Sequence, residues 1–414
     1  MYVKLTHMIV SAAAIAAAAV LQGCTGMENE NPYSDTLNTL IISPVYPEGF
    51  GEGPQSGIPV SITETGKGTD YTAVTGSDGK ASVKIPDGIY RITLSYSTDG
   101  RILNGSADRV RVIGADRELT VPMDMTEPGE IVIKEIYCGG CLCYPLEGTY
   151  MSDSYIILHN NTDRIQYLDS LCIGVADPYN ATGTNVWISR DGNGSSIFPD
   201  FVPVVQAIWK IKGDGETHPL LPGEDAVVCI FGAIDHTRLY PQSVNLNRPG
   251  YFVCYNIEYF PNTRYHPAPG DNITADHYLD VVVKTGQANA YTFSVHSPAV
   301  VIFKAKGTTI EDFVGSGNAI IQKPGSSSDR IVKLPLQWVM DGVEVFTGNS
   351  AGNIKRLNPG IDAGYVNFSA PFMGHTLFRK TDEKASAEKG FEVLADTNNS
   401  LNDFYERNEQ SLHE

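Results

Sequence analysis

Three of the seven cysteines fall within six residues, in Cys138-Gly139-Gly140-Cys141-Leu142-Cys143. Sulfurs at this spacing could ligate zinc or copper, with His159 as the candidate fourth ligand, or act as a redox pair. The competing reading is structural. Beyond Cys24 the chain holds Cys138, Cys141, Cys143, Cys172, Cys229 and Cys254, and in an oxidising compartment such a set ties loops to a β fold as disulfides. Disulfides are the expectation and metal capture is the rival. Six thiols allow fifteen pairings, and spacing does not choose among them.

Other candidates are weaker. Asp271, Asp276, His277 and Asp280, with His266 upstream, could hold calcium or a transition ion, yet no EF-hand spacing supports this. Asp191-Gly192-Asn193-Gly194-Ser195 begins like a calcium loop, but Val202 stands where the closing glutamate belongs, so a turn is expected. There is no His-Glu-x-x-His, no Gly-x-Ser-x-Gly and no phosphate-cradling glycine loop. The expectation is therefore a protein that is not an enzyme and needs no cofactor. A surface hydrolase of glycans or peptides is the alternative, since two carboxylates can meet in space without a sequence mark. Tyr251, Tyr255, Tyr259, Phe260 and Tyr265, together with Trp187 and Trp209, are the candidate binding residues, because large, rigid, partly polar rings make good contacts. The stretch 255–267 is the preferred interaction patch, for a surface glycan or a partner protein.

These residues must be positioned by strands. Forty glycines and 24 prolines do not suit long helices, and 42% hydrophobic residues do not suit disorder. The formal charge of −18 repels nucleic acid and anionic headgroups, which excludes a nucleic-acid partner. Ile58, Val60 and Ile62 alternate with polar neighbours, as do Tyr90, Ile92, Leu94 and Tyr96, giving strands with one buried and one wet face. The sequence thus predicts an all-β chain: a tether at 25–35, an antiparallel β-sandwich at 36–126, a larger β-sandwich region with long insertions at 129–408 and a tail at 409–414.

The start of the chain carries an address. One lysine, Lys4, precedes an apolar, alanine-rich stretch from Met8 to Leu21, and Leu21-Gln22-Gly23-Cys24 follows. That pattern reads as an export signal over 1–24, too short to favour a membrane crossing. Leu-Gln-Gly-Cys resembles the lipobox of bacterial lipoproteins, and the acidic residues after it resemble the surface-export tag of the Bacteroides group. The resemblance implies lipidation (palmitate among the acyl chains) at Cys24, anchoring in outer-membrane lipid and exposure at the cell surface.

Three further resemblances concern the body of the chain. Gly57–Ile62, Thr75-Gly76-Ser77-Asp78-Gly79-Lys80-Ala81 and Ile85-Pro86-Asp87-Gly88-Ile89-Tyr90 resemble the carboxypeptidase regulatory-like, transthyretin-like sandwich, which implies a spacer or docking module. Glu135, Tyr155–Asn160, Leu168–Leu171, Leu221–Gly223 and Thr376–Arg379 resemble the lamin-tail-like sandwich, although Ile157 replaces an acidic residue and the spacing is stretched. The whole order resembles the DUF4876 lipoproteins of Bacteroidetes. That resemblance implies a non-enzymatic binding or assembly role, accessory to a TonB-dependent outer-membrane transporter.

Overall fold

Alternation along the first strands places Leu40, Ile42, Val60, Ile62, Tyr90, Ile92 and Leu94 on inward faces, and all seven are buried in one core. The computed structural model describes residues 37–50, 55–98, 100–191, 196–348 and 352–413. Cys24, the export signal and the tether lie outside the described residues, as does most of the Asp191–Ser195 loop. The fold is all-β, as expected. No described helix is long and apolar enough to cross a membrane.

The first sandwich packs two sheets face to face. One has the order Ala81–Ile85, Asn38–Val45, Arg117–Pro122; the other runs Asp70–Val74, Pro59–Glu64, Gly88–Thr98, Arg101–Val112, Asp124–Thr126. Burying the half-apolar faces against each other is what the alternation requires.

Beyond residue 130 the architecture enlarges. A six-stranded sheet runs Phe252–Val253, Asp225–Cys229, Tyr155–Asn160, Ile131–Tyr137, Thr376–Arg379, Phe404–Arg407. Against it lies an eight-stranded sheet whose centre is Phe201–Lys210, Cys172–Ala176, Ala299–Phe303 and Val339–Thr347. Ile156, Val228, Leu377, Val300, Ile302 and Val343 meet in the core between them. Alternate residues Val301 and Phe303 face a second core on the far side, and Ile157, Val227 and Cys229 face a third beyond the six-stranded sheet. Sheets covered on both faces explain the unbroken apolar runs, such as Ala299–Phe303 with every residue buried. Four of the lamin-tail-like motif segments do come together: the Tyr155 hydroxyl donates to Glu135 at 2.7 Å, the Thr376 hydroxyl donates to the same carboxylate at 2.9 Å, and the Gly223 N–H donates to the Asn160 carbonyl at 3.0 Å.

The first sandwich is tied to the second region by buried polar contacts. Arg91 is ion-paired with Asp108 at 2.9 Å and donates to the Asn353 carbonyl at 3.0 Å. The Asn104 amide donates to the carbonyls of Thr397 and Asn398 at 2.7 and 2.9 Å.

Candidate functional site

The thiol loop is assembled by close backbone approach. A Cβ on Gly139 would lie 2.5 Å from the Phe368 ring, and one on Gly140, at φ +72°, would lie 2.0 Å from the Tyr150 carbonyl oxygen. Only glycine fits either place. The Cys141 thiol points at Asp153 (3.8 Å), whose carboxylate also accepts from the hydroxyls of Tyr137 and Ser243. Burial pushes the Cys138 and Cys141 thiols up to about 12, and a protonated thiol is neither nucleophile nor metal ligand.

The structure corrects two expectations here. The six described cysteines are all free and buried, so the disulfide reading fails. Sheet geometry supplies the reason: Cys138 and Cys254 face the central core, Cys172 the core behind the eight-stranded sheet, and Cys229 the core beyond the six-stranded one. Cys254 donates its N–H to the Cys229 carbonyl at 2.9 Å, yet their side chains enter opposite faces. Metal capture loses its fourth ligand as well. His159 is spent on Asp225 at 2.7 Å and the Glu392 carbonyl at 3.0 Å, and no group of three or more described His, Cys, Asp or Glu residues is placed to hold a metal ion.

The aromatic candidates separate. Trp209 stacks on Phe260 and meets Tyr291 edge-on, each at 5.5 Å between ring centroids, and all three are buried. Trp209 and Phe260 are therefore core residues and not contact residues. Tyr265 leans on Phe231, and Tyr255 meets Tyr278 edge-on. Trp187 donates its indole N–H to Asp177 at 2.8 Å. Tyr259 is exposed at 42%. The stretch 255–267 thus offers no continuous aromatic face. Tyr251 does line a groove.

That groove is a cavity of about 500 Å3 bordered by Tyr251, Phe252, His218, His277, Asp276 and the Glu224-Asp225 pair. Its first wall is the 213–218 loop, folded around Asp169. Burial alone would raise the Asp169 pKa, but the N–H groups of His218, Thr217 and Gly215 donate to the carboxylate at 2.9, 2.9 and 3.1 Å and hold it down at about 2. Gly213 is required because a Cβ there would lie 1.7 Å from that carboxylate. The loop sets the His218 ring edge-on to Phe252 at 5.0 Å and 5.2 Å from His277. Burial, followed by the neighbouring His277, lowers the His218 pKa, and its Nε2 is buried without a hydrogen-bond partner. His277 closes the opposite wall on the short turn Ala275–His277, with Nδ1 at 3.0 Å from the Thr274 hydroxyl and 3.2 Å from Asp276.

The carboxylates of the groove are largely committed. Glu224 accepts the Leu221 N–H at 2.9 Å and so closes the Leu-Pro-Gly turn. Asp225 takes His159 and Lys134, each at 2.7 Å. The groove thus presents the rings of Tyr251, Phe252, His218 and His277 together with the Thr217 hydroxyl and the Asp276 carboxylate. Of the lining residues, Tyr251, Asp276 and His277 carried a signal in the sequence. Phe252 carried one too, as a member of the aromatic cluster that begins at Tyr251. His218 carried none, because its role depends on the loop that Asp169 orders.

Residues 221–411 match the family model described as a protein of unknown function, DUF4876. A crystal structure of a DUF4876 family protein from Bacteroides thetaiotaomicron is similar at 26% identity and a TM-score of 0.56, over 89% of this chain and 94% of that one. A DUF3823 family protein from Parabacteroides merdae overlaps far more loosely, at 13% identity and a TM-score of 0.17 over 43% of this chain and 82% of that one. No curated protein matches the chain. The chain therefore carries the DUF4876 family pattern over residues 221–411 and is similar in fold to a DUF4876 family protein along most of its length.

Proposed function

We propose that this is a non-enzymatic surface lipoprotein, held in the outer membrane through Cys24, that binds a neutral oligosaccharide in the groove between His218 and His277. The observation that carries the reading is the groove: Phe252, Tyr251 and two imidazoles border a hollow of about 500 Å3, while Asp225 is held by Lys134 and His159 and Glu224 accepts the Leu221 N–H. Ring faces pack against the C–H surface of a sugar, and carboxylate and imidazole groups hydrogen-bond its hydroxyls. The acidic lining disfavours an anionic ligand. Within this reading the protein acts as an accessory beside a TonB-dependent transporter that collects such ligands, a role that the sequence resemblance to the DUF4876 lipoproteins suggests.

Calorimetric titration of the chain from residue 25 with neutral oligosaccharides tests the binding. Tyr251→Ala and His277→Ala are each expected to weaken it at least tenfold; equal affinity in both variants would sink the assignment. Labelling cells with a palmitate analogue tests the anchor separately. The wild type should be labelled and Cys24→Ala should not.

A further inference from the structure

A second hollow, of about 860 Å3, opens where the first sandwich meets the second region. Its lining includes Met125 from the first sandwich and Leu336, Val339, Met340 and Ile361 from the second region. Thioether side chains adapt to different hydrocarbon shapes, and junctions between folded parts are favoured places for small ligands. Around these apolar groups stand Arg101, Lys304 and Lys306. The Arg101 guanidinium reaches Met125 sulfur at 4.0 Å, Lys304 donates to the Tyr167 carbonyl, and none of the three cations makes an ion pair among the described residues.

Three acidic residues share the lining. Glu130 is paired with Arg164, and Asp341 is buried against Arg379, which Asp396 and Asp403 share. That leaves the Glu127 carboxylate against three cations, a local surplus of positive charge in a chain of formal charge −18. Such a surplus beside apolar side chains is complementary to a ligand with a negative head and a hydrocarbon body. We propose that this junction cleft is a binding site for an organic carboxylate with an apolar body, its head on Arg101 and Lys306 and its body against Met125, Leu336 and Met340. The site is separate from the His218–His277 groove and stands or falls without it.

The test is a fluorescence titration of the chain from residue 25 with 8-anilinonaphthalene-1-sulfonate, followed by displacement with decanoate or decanol. The cleft should bind one probe per chain, and decanoate should displace it at a concentration about tenfold below that needed with decanol. The double variant Arg101→Gln/Lys306→Gln should bind the probe about tenfold more weakly and lose the preference for decanoate. Met340→Trp, which fills the cleft, should abolish binding, whereas Tyr251→Ala should leave the titration unchanged. Urea midpoints within error of wild type would show that the variants are folded. Absence of a saturable site, equal displacement by the alcohol, or a wild-type titration in the folded double variant would each overturn the proposal.

Discussion

Replacing Arg91 by methionine should loosen the junction between the two parts of the chain. The guanidinium is almost fully buried, ion-paired with Asp108 at 2.9 Å, and lies 4.6 and 5.0 Å from the ring centroids of Phe346 and Tyr365. Its Nη1 has no hydrogen-bond acceptor. Methionine preserves much of the hydrocarbon stem but strands the buried Asp108 carboxylate, a loss of about 3–5 kcal/mol, to which the lost ring contacts add roughly 0.5–2 kcal/mol. With a urea slope of about 3 kcal/mol/M, the ion-pair term alone lowers the midpoint by roughly 1–1.7 M. The assay can also report where the loss falls. Trp187, Trp209 and Trp338 all lie in the second region, so tryptophan fluorescence follows that region while far-UV circular dichroism follows both. In the wild type the two transitions should coincide; in Arg91→Met the dichroism should begin to fall first. Adding Asp108→Leu should restore most of the midpoint, because the stranded charge is then gone. An Arg91→Met midpoint within 0.2 M of wild type (about 0.6 kcal/mol at that slope), with coincident transitions, would refute the reasoning.

Three further outcomes are expected. Gly140→Ala places a Cβ at positive φ against the Tyr150 carbonyl and should cost about 2–5 kcal/mol, read as a lowered urea midpoint; an unchanged midpoint would mean the loop passes elsewhere. Alkylation of the chain from residue 25 should modify none of Cys138, Cys172, Cys229 and Cys254 in the native state and, after unfolding without reductant, all six described cysteines; fewer than six would restore a disulfide. Two opposed pH slopes of stability should overlap between acid and neutral pH. Burial lowers the pKa values of His218, His236 and His266 below 6.5, so their contribution is full above pH 6.5 and is lost as pH falls below it. Burial raises Asp403 from 3.8 to about 7 and raises Asp341 as well, despite Arg379 between them. Their contribution is full below pH 3.8 and is lost as pH rises toward 7. Asp403→Asn should flatten the second slope, measured as urea midpoint from pH 5 to 8, and leave the first in place; an unaltered slope would remove Asp403 as its source.

What the sequence reveals follows from which groups face water. In the first sandwich each strand has a wet face, so alternation in Ile58–Ile62 and Tyr90–Tyr96 marks strand and core together. In the second region Ala299–Phe303 is apolar at every position because cores lie on both sides of its sheet, and a run of five such residues has no period from which to read a face. The same two-sided covering defeats the cysteine argument. Six thiols in an exported chain suggest bridges, but alternate residues of a strand enter different cores, so thiols on hydrogen-bonded neighbours such as Cys229 and Cys254 never meet. Aromatic clustering misleads for a different reason: rings close in sequence are divided between core and surface by a turn at 257–259, where the Phe260 N–H donates to the Asn256 carbonyl at 2.9 Å, which sends Phe260 inward and leaves Tyr259 exposed.

The groove shows the limit most clearly. His218 is held in place by an Asp169 carboxylate 49 residues earlier in the chain, through three backbone N–H groups that any sequence would present. The informative residues are Asp169, which must be an acceptor strong enough to order the loop, and Gly213, whose missing Cβ lets the carboxylate approach. Neither resembles a functional motif. If the groove is built for a ligand, these loop-forming residues shape its first wall, and the His218 ring, set against Phe252 and His277, is what the loop presents. Asp169→Ala should therefore weaken oligosaccharide binding as strongly as His277→Ala, although Asp169 does not line the groove. Isothermal titration of the two variants side by side compares them directly. Full affinity in a folded Asp169→Ala chain would detach the loop from the site and leave His218 a packing residue.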